Sequence, residues 1–257
     1  MITICNIFPN NMLNKDMPRQ KIELYLAHKI LEEPERFAFL AKDKENNINS
    51  FKIVDNSACE LGKGLPMADV IKAAEIIDAH EIVLPDLIRN NTSLAYTLEN
   101  MLEVPQTCRF RLAAAIQGET YEELLQCAQQ MLFLRRVATI MIPKWYCSMN
   151  SSNGLGRHQL TTDIINLMKK YNIYKSIHWL GCDTGLREVI SPLAQYVRSV
   201  DSGYWSALST EKWKNLSVTA ERPRELKIDL QHMDVDVDRL NTLMKQQQQL
   251  IGEMQDV

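Results

Sequence analysis

The feature of the sequence that most constrains the fold is a regular alternation of short apolar runs and longer amphipathic stretches. Most of the apolar runs are followed by a segment with helical periodicity. Alternating strands and helices form a parallel sheet, and eight such units in about 250 residues are typical of a (β/α)8 barrel. The sequence therefore predicts an α/β fold, a single TIM barrel spanning residues 1–257. The eight predicted strands end at Phe8, Asp55, Asp86, Gln117, Pro143, Gly181, Asp201 and Asp229.

The boundaries of the individual elements follow from the same patterns. Strands are predicted at residues 2–8, 51–54, 81–84, 110–116, 137–142, 176–180, 196–200 and 225–230. Residues 37–41 are predicted to form a hairpin with 51–54, and the two together count as one barrel position. Helices are predicted at 19–33, 66–79, 92–102, 157–171, 186–195 and 235–254, with another starting at the capping-box sequence 120–123. The last helix is expected to close the barrel, with a frayed tail, over about 235–257.

Composition and motifs exclude several other classes of protein. A doubly wound open sheet is the alternative fold, but neither G-x-G-x-x-G nor a phosphate-binding G-x-x-x-x-G-K sequence follows a strand. No apolar run reaches the ~18 residues that cross a bilayer, and the N-terminus lacks a signal peptide's basic flank. A cytoplasmic protein with no membrane partner is expected. The net charge of −3 excludes a globally basic nucleic-acid binder but not a local basic groove.

Polar side chains cluster where the predicted strands end, which is where a barrel builds its active site. An aspartate in that position is often only a helix cap, but Asp55, Asp86 and Asp201 together on one rim favour a functional site. Two carboxyl groups facing one site allow acid/base catalysis and nucleophilic attack at an anomeric carbon. A third carboxylate with Gln117 can bind the donor and acceptor edge of a purine-like base.

Five of these strand ends carry short motifs in a fixed order. They read Ile-Val-Asp-Asn-Ser-Ala at 53–58, Val-Leu-Pro-Asp at 83–86, Ala-Ile-Gln-Gly at 115–118, His-Trp-Leu-Gly at 178–181 and Val-Arg-Ser-Val-Asp-Ser at 197–202. Together they resemble the tRNA-guanine transglycosylase (queuine tRNA-ribosyltransferase) superfamily. The short phage-type DNA 7-deazaguanine transglycosylases are the most similar branch. The resemblance covers residues 53–202.

The resemblance implies an enzyme that exchanges guanine in a polynucleotide for a 7-deazaguanine such as 7-cyano-7-deazaguanine. By this resemblance Asp201 is the nucleophile that forms a covalent bond to C1′, and Asp55 is the general acid/base. It implies neither a cofactor nor a metal in the reaction. It also assigns the binding of the base to five residues: Asp86, Gln117, Gly118, His178 and Gly181.

Two departures from the tRNA enzymes change what the resemblance implies: the first favours DNA over tRNA as the polynucleotide, and the second bears on selectivity for the base. No cysteine follows Asp201, so the zinc subdomain of the tRNA enzymes is not expected. Pro143 and Lys144 stand where those enzymes have a glycine pair. Lys144, Arg157 and His158 are the candidate contacts to the nucleic acid, and a homodimer or a partner protein is a possible further component. The alternatives are the same exchange on tRNA, a hydrolysing nucleoside or DNA glycosylase, and a non-catalytic nucleic-acid-binding barrel.

Overall fold

The computed structural model confirms the predicted barrel. It describes residues 2–14, 16–43, 45–46, 48–145, 156–182, 188–189, 191–217, 228 and 233–255. Eight strands, all parallel to their neighbours, form one sheet in the order β1-β8-β7-β6-β5-β4-β3-β2. The strands are Thr3–Asn6 (β1), Ile22–Leu26 (β2), Phe51–Asp55 (β3), Glu81–Val83 (β4), Arg111–Ala115 (β5), Val137–Pro143 (β6), Ser176–Leu180 (β7) and Ser199–Ser202 (β8).

Helices follow most of the strands and cover the outside of the barrel. They are Ala27–Glu32 (α1), Pro34–Phe37 (α2), Ala58–Leu61 (α3), Met67–Ile76 (α4), Ser93–Glu103 (α5), Tyr121–Phe133 (α6), Gly156–Tyr171 (α7), Tyr204–Leu208 (α8) and Val237–Gln255 (α9). The predicted capping box is present, with the Thr120 side chain accepting from the backbone N–H of Glu123. In the part of the chain that the structure describes, no helix has both the length and the apolar character needed to cross a bilayer.

The seam between β1 and β2 is joined by a side chain. Gln20 accepts a hydrogen bond from the backbone N–H of Asn6 at 2.7 Å and donates one to its carbonyl oxygen at 2.9 Å. The amide of Gln20 thus supplies the donor and the acceptor that a neighbouring strand would offer to Asn6. This contact connects the two ends of the sheet. Because neighbouring strands are all parallel, the carboxyl ends of β3 and β8 lie at the same rim.

Two predicted elements differ in the structure, and a third lies almost entirely outside the described residues. Residues 22–26, predicted within a helix, form β2. All five of their side chains are buried, so they lack the alternation of buried and exposed side chains by which a half-buried strand is recognised. Residues 37–41, predicted as a hairpin strand, lie in α2 and in the 3-10 helix Ala38–Lys42. The predicted strand at 225–230 lies outside the described residues except Ile228, which is in no strand. The barrel's second strand is therefore Ile22–Leu26, and its eighth is Ser199–Ser202.

The interior of the barrel divides into an apolar and a polar part. Small and branched apolar side chains from β2 to β6 form one cluster, which includes Leu24, Ile53 and Ala113. On β7 and β8 the inward-facing side chains are instead His178, Ser199 and Asp201, all with less than a tenth of their surface exposed. A buried polar column in a barrel needs a complete set of hydrogen-bond partners. Those partners define the candidate site.

Candidate active site

Asp201 lies at the carboxyl end of β8 and is held by two donors on one oxygen. Its Oδ1 accepts a hydrogen bond from the backbone N–H of Gly181 at 2.9 Å. The imidazole Nε2 of His178 lies 3.0 Å from the same oxygen. Asp201 is 7% exposed, so the carboxylate faces the barrel mouth from a largely buried position. Its other oxygen, Oδ2, has no hydrogen-bond partner among the described residues and remains available to a ligand.

Asp55 ends β3 at the same rim and is partly exposed. Its Oδ1 accepts from the backbone N–H of Ser57 at 2.7 Å. Burial raises the pKa of Asp55 well above its usual range, and the carboxyl groups of Glu60, Asp86 and Asp201 raise it further against the hydrogen bond from Ser57. The predicted pair of carboxyl groups therefore shares one rim, and Asp55 is the member that retains a proton more readily than a free aspartate.

Asp86 is part of a buried array of amide and carboxyl groups. Its Oδ1 accepts from Asn56 Nδ2 at 2.7 Å, and its Oδ2 accepts from Gln117 Nε2 at 2.6 Å. Burial raises the pKa of Asp86, and these two hydrogen bonds oppose the rise. Asn56 also donates to the carbonyl oxygen of Leu84 at 2.6 Å, so its amide orientation is fixed. The three side chains, each no more than 3% exposed, present a rigid polar edge to the mouth of the barrel.

The two glycines predicted to bind the nucleobase have different surroundings. Gly181 adopts a positive φ of 68°, and a Cβ there would lie 2.6 Å from Cδ of Lys144. The side chain of Lys144 therefore extends along Gly181, whose N–H donates to Asp201. This position agrees with the predicted cation at the rim of the barrel. A Cβ on Gly118 would lie 2.8 Å from Cβ of Glu123, in the first turn of α6. Gly118 thus allows α6 to pack closely against the end of β5, and its surroundings indicate a packing role.

Arg157 is not a surface contact for nucleic acid, and this prediction is wrong. The side chain is fully buried, and its guanidinium pairs with Glu188 through Nε at 2.7 Å and through Nη2. Its Nη atoms also donate to backbone carbonyls at the ends of β6 and β7: Ile142 at 3.2 Å, Leu180 at 2.8 Å and Gly181 at 2.9 Å. Every nitrogen of the guanidinium donates inside the protein, so Arg157 fixes the strand ends next to Asp201.

His158 is also used inside the protein, and its predicted role as a nucleic-acid contact is corrected for that reason. Its ring stacks on Trp179, with centroids 5.4 Å apart and planes 22° apart. Burial lowers the pKa of His158, which disfavours the charged form that a phosphate would need. Trp179 points away from the barrel interior and donates to Thr161 of α7 at 3.0 Å. His158 therefore packs between β7 and α7. Of the three predicted contacts, only Lys144 stays at the rim.

Four further residues belong to the site although they are not among the predicted site residues. Asn56 fixes Asp86, and Ser199 contacts the Nδ1 of His178 at 2.8 Å. Ser57 adopts a left-handed conformation with φ of 64°, a strained conformation for serine that aims its N–H at Asp55. The carboxyl group of Glu60, which lies in α3, raises the pKa of Asp55. The motif 53–58 contained the first signal, because its Asn and Ser follow a strand-end aspartate directly.

The site offers carboxylates but no set of metal ligands. Within the described ranges, no group of three or more His, Cys, Asp or Glu side chains has an arrangement that could hold a metal ion. The buried thiol of Cys5 lies beside Ser199, and burial together with Asp201 raises its pKa, so it remains a thiol. The groups that can carry chemistry are therefore a largely buried carboxylate, a carboxyl group with a raised pKa and an amide-lined polar edge.

Comparisons with known proteins assign no family to this chain. No protein-family model matches the sequence, and no curated protein does so either. Among solved structures, a ligand-free mutant of tryptophan synthase from M. tuberculosis aligns over 83% of this chain and 66% of that chain, with 12% identity and a TM-score of 0.42. D-psicose 3-epimerase from Clostridium cellulolyticum, solved with D-tagatose, aligns over 91% of this chain and 89% of that chain, with 13% identity and a TM-score of 0.49. Fold and site together define a (β/α)8 barrel with an acidic site at the carboxyl ends of its strands.

Proposed function

We propose that this protein is a base-exchange glycosyltransferase that replaces guanine in a polynucleotide, with DNA preferred, by a 7-deazaguanine such as 7-cyano-7-deazaguanine. The observation that carries the proposal is the asymmetry of Asp201. Two donors hold Oδ1, while Oδ2 has no partner among the described residues. A carboxylate oriented in this way has one oxygen fixed by the protein and the other available as a nucleophile. The family resemblance of the strand-end motifs supplies the class of substrate.

The proposed reaction proceeds through two displacements at C1′. In the first, Oδ2 of Asp201 forms a bond to C1′ while the bond from C1′ to N9 of guanine breaks, and the electron pair leaves with the base. Asp55 donates its proton to the departing guanine, which its raised pKa favours. In the second, the incoming base gives a proton to Asp55 and its ring nitrogen attacks C1′, which releases Asp201. Two displacements retain the configuration at C1′.

The polar edge formed by Asn56, Asp86 and Gln117 is the proposed binding site for the base. A guanine and a 7-deazaguanine share the same pyrimidine-ring edge, with N–H donors beside a carbonyl acceptor. Asp86 supplies acceptors, and the second N–H of Gln117 is a donor for a carbonyl oxygen. Because the array is rigid, it selects bases with that edge. The exchange of N7 for carbon lies on the other ring and is not contacted by these groups.

The preference for DNA rests on the resemblance and on the rim. The target nucleotide must leave the stack to reach a site at the mouth of a barrel. Lys144, whose side chain extends along Gly181, is the proposed contact to a phosphate of the extruded nucleotide. The region after Asp201 contains no cysteine, so it lacks the cysteine ligands of a zinc subdomain like that of the tRNA enzymes.

Incorporation of a labelled base tests this function. The protein is incubated with single-stranded DNA, duplex DNA or tRNA together with labelled 7-cyano-7-deazaguanine, and both label in the polymer and released guanine are measured. We expect label in DNA from the wild type, and none from Asp201→Asn or Asp55→Asn. The matched control is Asp234→Asn, which makes the same change at an exposed position and should retain activity.

Each other outcome of the experiment has a definite meaning. Label in tRNA alone would retain the mechanism and change the polynucleotide. Guanine released without incorporation of label would identify a hydrolysing glycosylase, because water would then resolve the same intermediate. Neither label nor guanine release, with binding of DNA unaffected by Asp201→Asn, would refute the enzyme and favour a binding barrel.

A further inference from the structure

A chain of hydrogen bonds runs through the barrel interior from its amino-terminal end to Asp201. Arg198 Nε lies 3.3 Å from Ser199 Oγ, Ser199 Oγ lies 2.8 Å from His178 Nδ1, and His178 Nε2 lies 3.0 Å from Asp201 Oδ1. His178 and Ser199 are fully buried, so no bulk water competes for these contacts. The chain connects a permanently charged guanidinium to the carboxylate that we propose as the nucleophile.

The far end of the chain is anchored to the other side of the barrel. Arg198 makes a two-pronged ion pair with Glu81 of β4, with distances of 2.7 and 2.9 Å. Glu81 is fully buried and also accepts from the hydroxyl of Thr139 at 2.7 Å. The guanidinium carbon of Arg198 lies 5.2 Å from the centre of the Phe51 ring. Arg198 is thus held on several sides, and its Nε is fixed next to Ser199.

The direction of each hydrogen bond follows from the chemistry of the groups. A guanidinium has only donors, so Ser199 Oγ must accept from Arg198. The thiol of Cys5 is a second neighbour of Ser199, and burial keeps it protonated. An ionised carboxylate only accepts, so the contact between His178 and Asp201 is a hydrogen bond only when Nε2 of His178 carries the proton. The hydroxyl proton of Ser199 is then free to point to Nδ1, which completes the chain in one direction.

We propose that Ser199, with Arg198 behind it, is a positioning residue that holds His178 in the Nε2–H tautomer. In that tautomer His178 donates to Oδ1 of Asp201 alongside the N–H of Gly181, and Oδ2 is left to react. In the Nδ1–H tautomer a nitrogen lone pair would face the carboxylate, which would turn the carboxylate or the ring away. This inference rests on the proposed function for its kinetic consequence but not for the tautomer itself.

The tautomer is measured directly by NMR, without any substrate. Protein labelled with ¹⁵N-histidine is studied by long-range ¹H–¹⁵N correlation, and His178 is assigned from the signals that disappear in His178→Gln. We expect the Nε2–H tautomer in the wild type. In Ser199→Ala, which removes only the hydroxyl, we expect a mixture of ring states, and in Ser199→Thr, which restores it, the wild-type pattern.

The same variants have a distinct kinetic signature. Ser199→Ala should lower kcat for base exchange by about three- to tenfold, the effect of losing one hydrogen bond, with KM for the polynucleotide unchanged. Arg198→Gln should also lower kcat for base exchange. Arg111→Gln is its matched control, because Arg111 also pairs with Glu81, at 3.5 Å, but no contact with Ser199 is described for it.

Three results would count against the inference. The first is a wild-type His178 in the Nδ1–H form. The second is a Ser199→Ala protein that retains both the Nε2–H signal and the wild-type kcat. An equal loss of activity in Arg198→Gln and Arg111→Gln would attribute the effect to the ion pair with Glu81 and would also count against it. A wild type with the expected tautomer but no exchange activity would refute the proposed function alone.

Discussion

Replacement of Arg157 by methionine tests whether this arginine stabilises the fold or contacts nucleic acid, as its position in the sequence predicts. The change removes the cation of a pair in which Arg157 is 0% and Glu188 is 2% exposed, while the volume of the side chain is roughly preserved. Removing one partner of a buried ion pair typically costs about 3–5 kcal/mol, because the other charge stays buried alone. Three backbone carbonyls at the ends of β6 and β7 also lose their donor.

The expected loss is large against the stability of a typical domain, which is about 5–15 kcal/mol. For a chain of this size, such a loss corresponds to a Tm lowered by roughly 6–20 °C. Urea unfolding followed by tryptophan fluorescence measures the free energy of unfolding. Glu188→Gln together with Arg157→Met is the matched control: it removes the stranded charge and should recover part of the loss.

A phosphate contact would give the opposite pattern. Loss of a phosphate contact leaves the free energy of unfolding almost unchanged. It reduces the steepness of a plot of log K for DNA binding against log salt concentration by about one. An Arg157→Met protein that unfolds within about 1 kcal/mol of the wild type and shows the reduced slope would refute the buried role. We expect the lowered stability and, in the folded variant, an unchanged slope.

Three further predictions concern the rim of the barrel. Asp55→Asn should raise the free energy of unfolding at pH 7. Folding raises the pKa of Asp55, so the ionised carboxylate costs stability at pH values above its unfolded pKa of about 3.9. Urea titrations should show that the gain from the substitution vanishes near pH 4. Gly181→Ala should destabilise the fold by about 1–2 kcal/mol, because φ there is 68°, and should displace Lys144; thermal unfolding measures the first effect. Lys144→Met should lower the salt slope of DNA binding by about one, and an unchanged slope would remove Lys144 from the interface.

The barrel could be predicted because β3 to β8 carry strong local signals. Strands such as Val137–Pro143 are largely apolar runs, and this one is bounded by the polar residues Arg136 and Lys144. β2 was missed because Glu23, in its middle, looks exposed in the sequence but is 1% exposed in the structure. There it pairs with Arg19 at 2.7 Å, a partner that the helical pattern does not reveal. The predicted total of eight strands agrees with the eight that the described residues form, although the predicted strand at 225–230 lies outside those residues except Ile228.

The positions of the candidate site residues were predictable to the extent that they follow strands. Asp55, Asp86, Gln117, Gly181 and Asp201 all lie at the carboxyl ends of strands, as barrel geometry requires. The partners of these residues were not predictable from local spacing. Glu188, for example, lies 31 residues after Arg157, and only the folded chain brings the two side chains within 2.7 Å of each other.

The central claim, that Asp201 attacks C1′, is tested most directly by locating the covalent intermediate. A guanine-containing DNA oligonucleotide is mixed with the protein without any incoming base, the reaction is stopped by denaturation, and the protein is digested and examined by mass spectrometry. The account predicts a sugar-linked adduct on the peptide that contains Asp201, absent from Asp201→Asn and present in Asp234→Asn. Base exchange without any adduct on Asp201, or with an adduct on Asp55 instead, would contradict it.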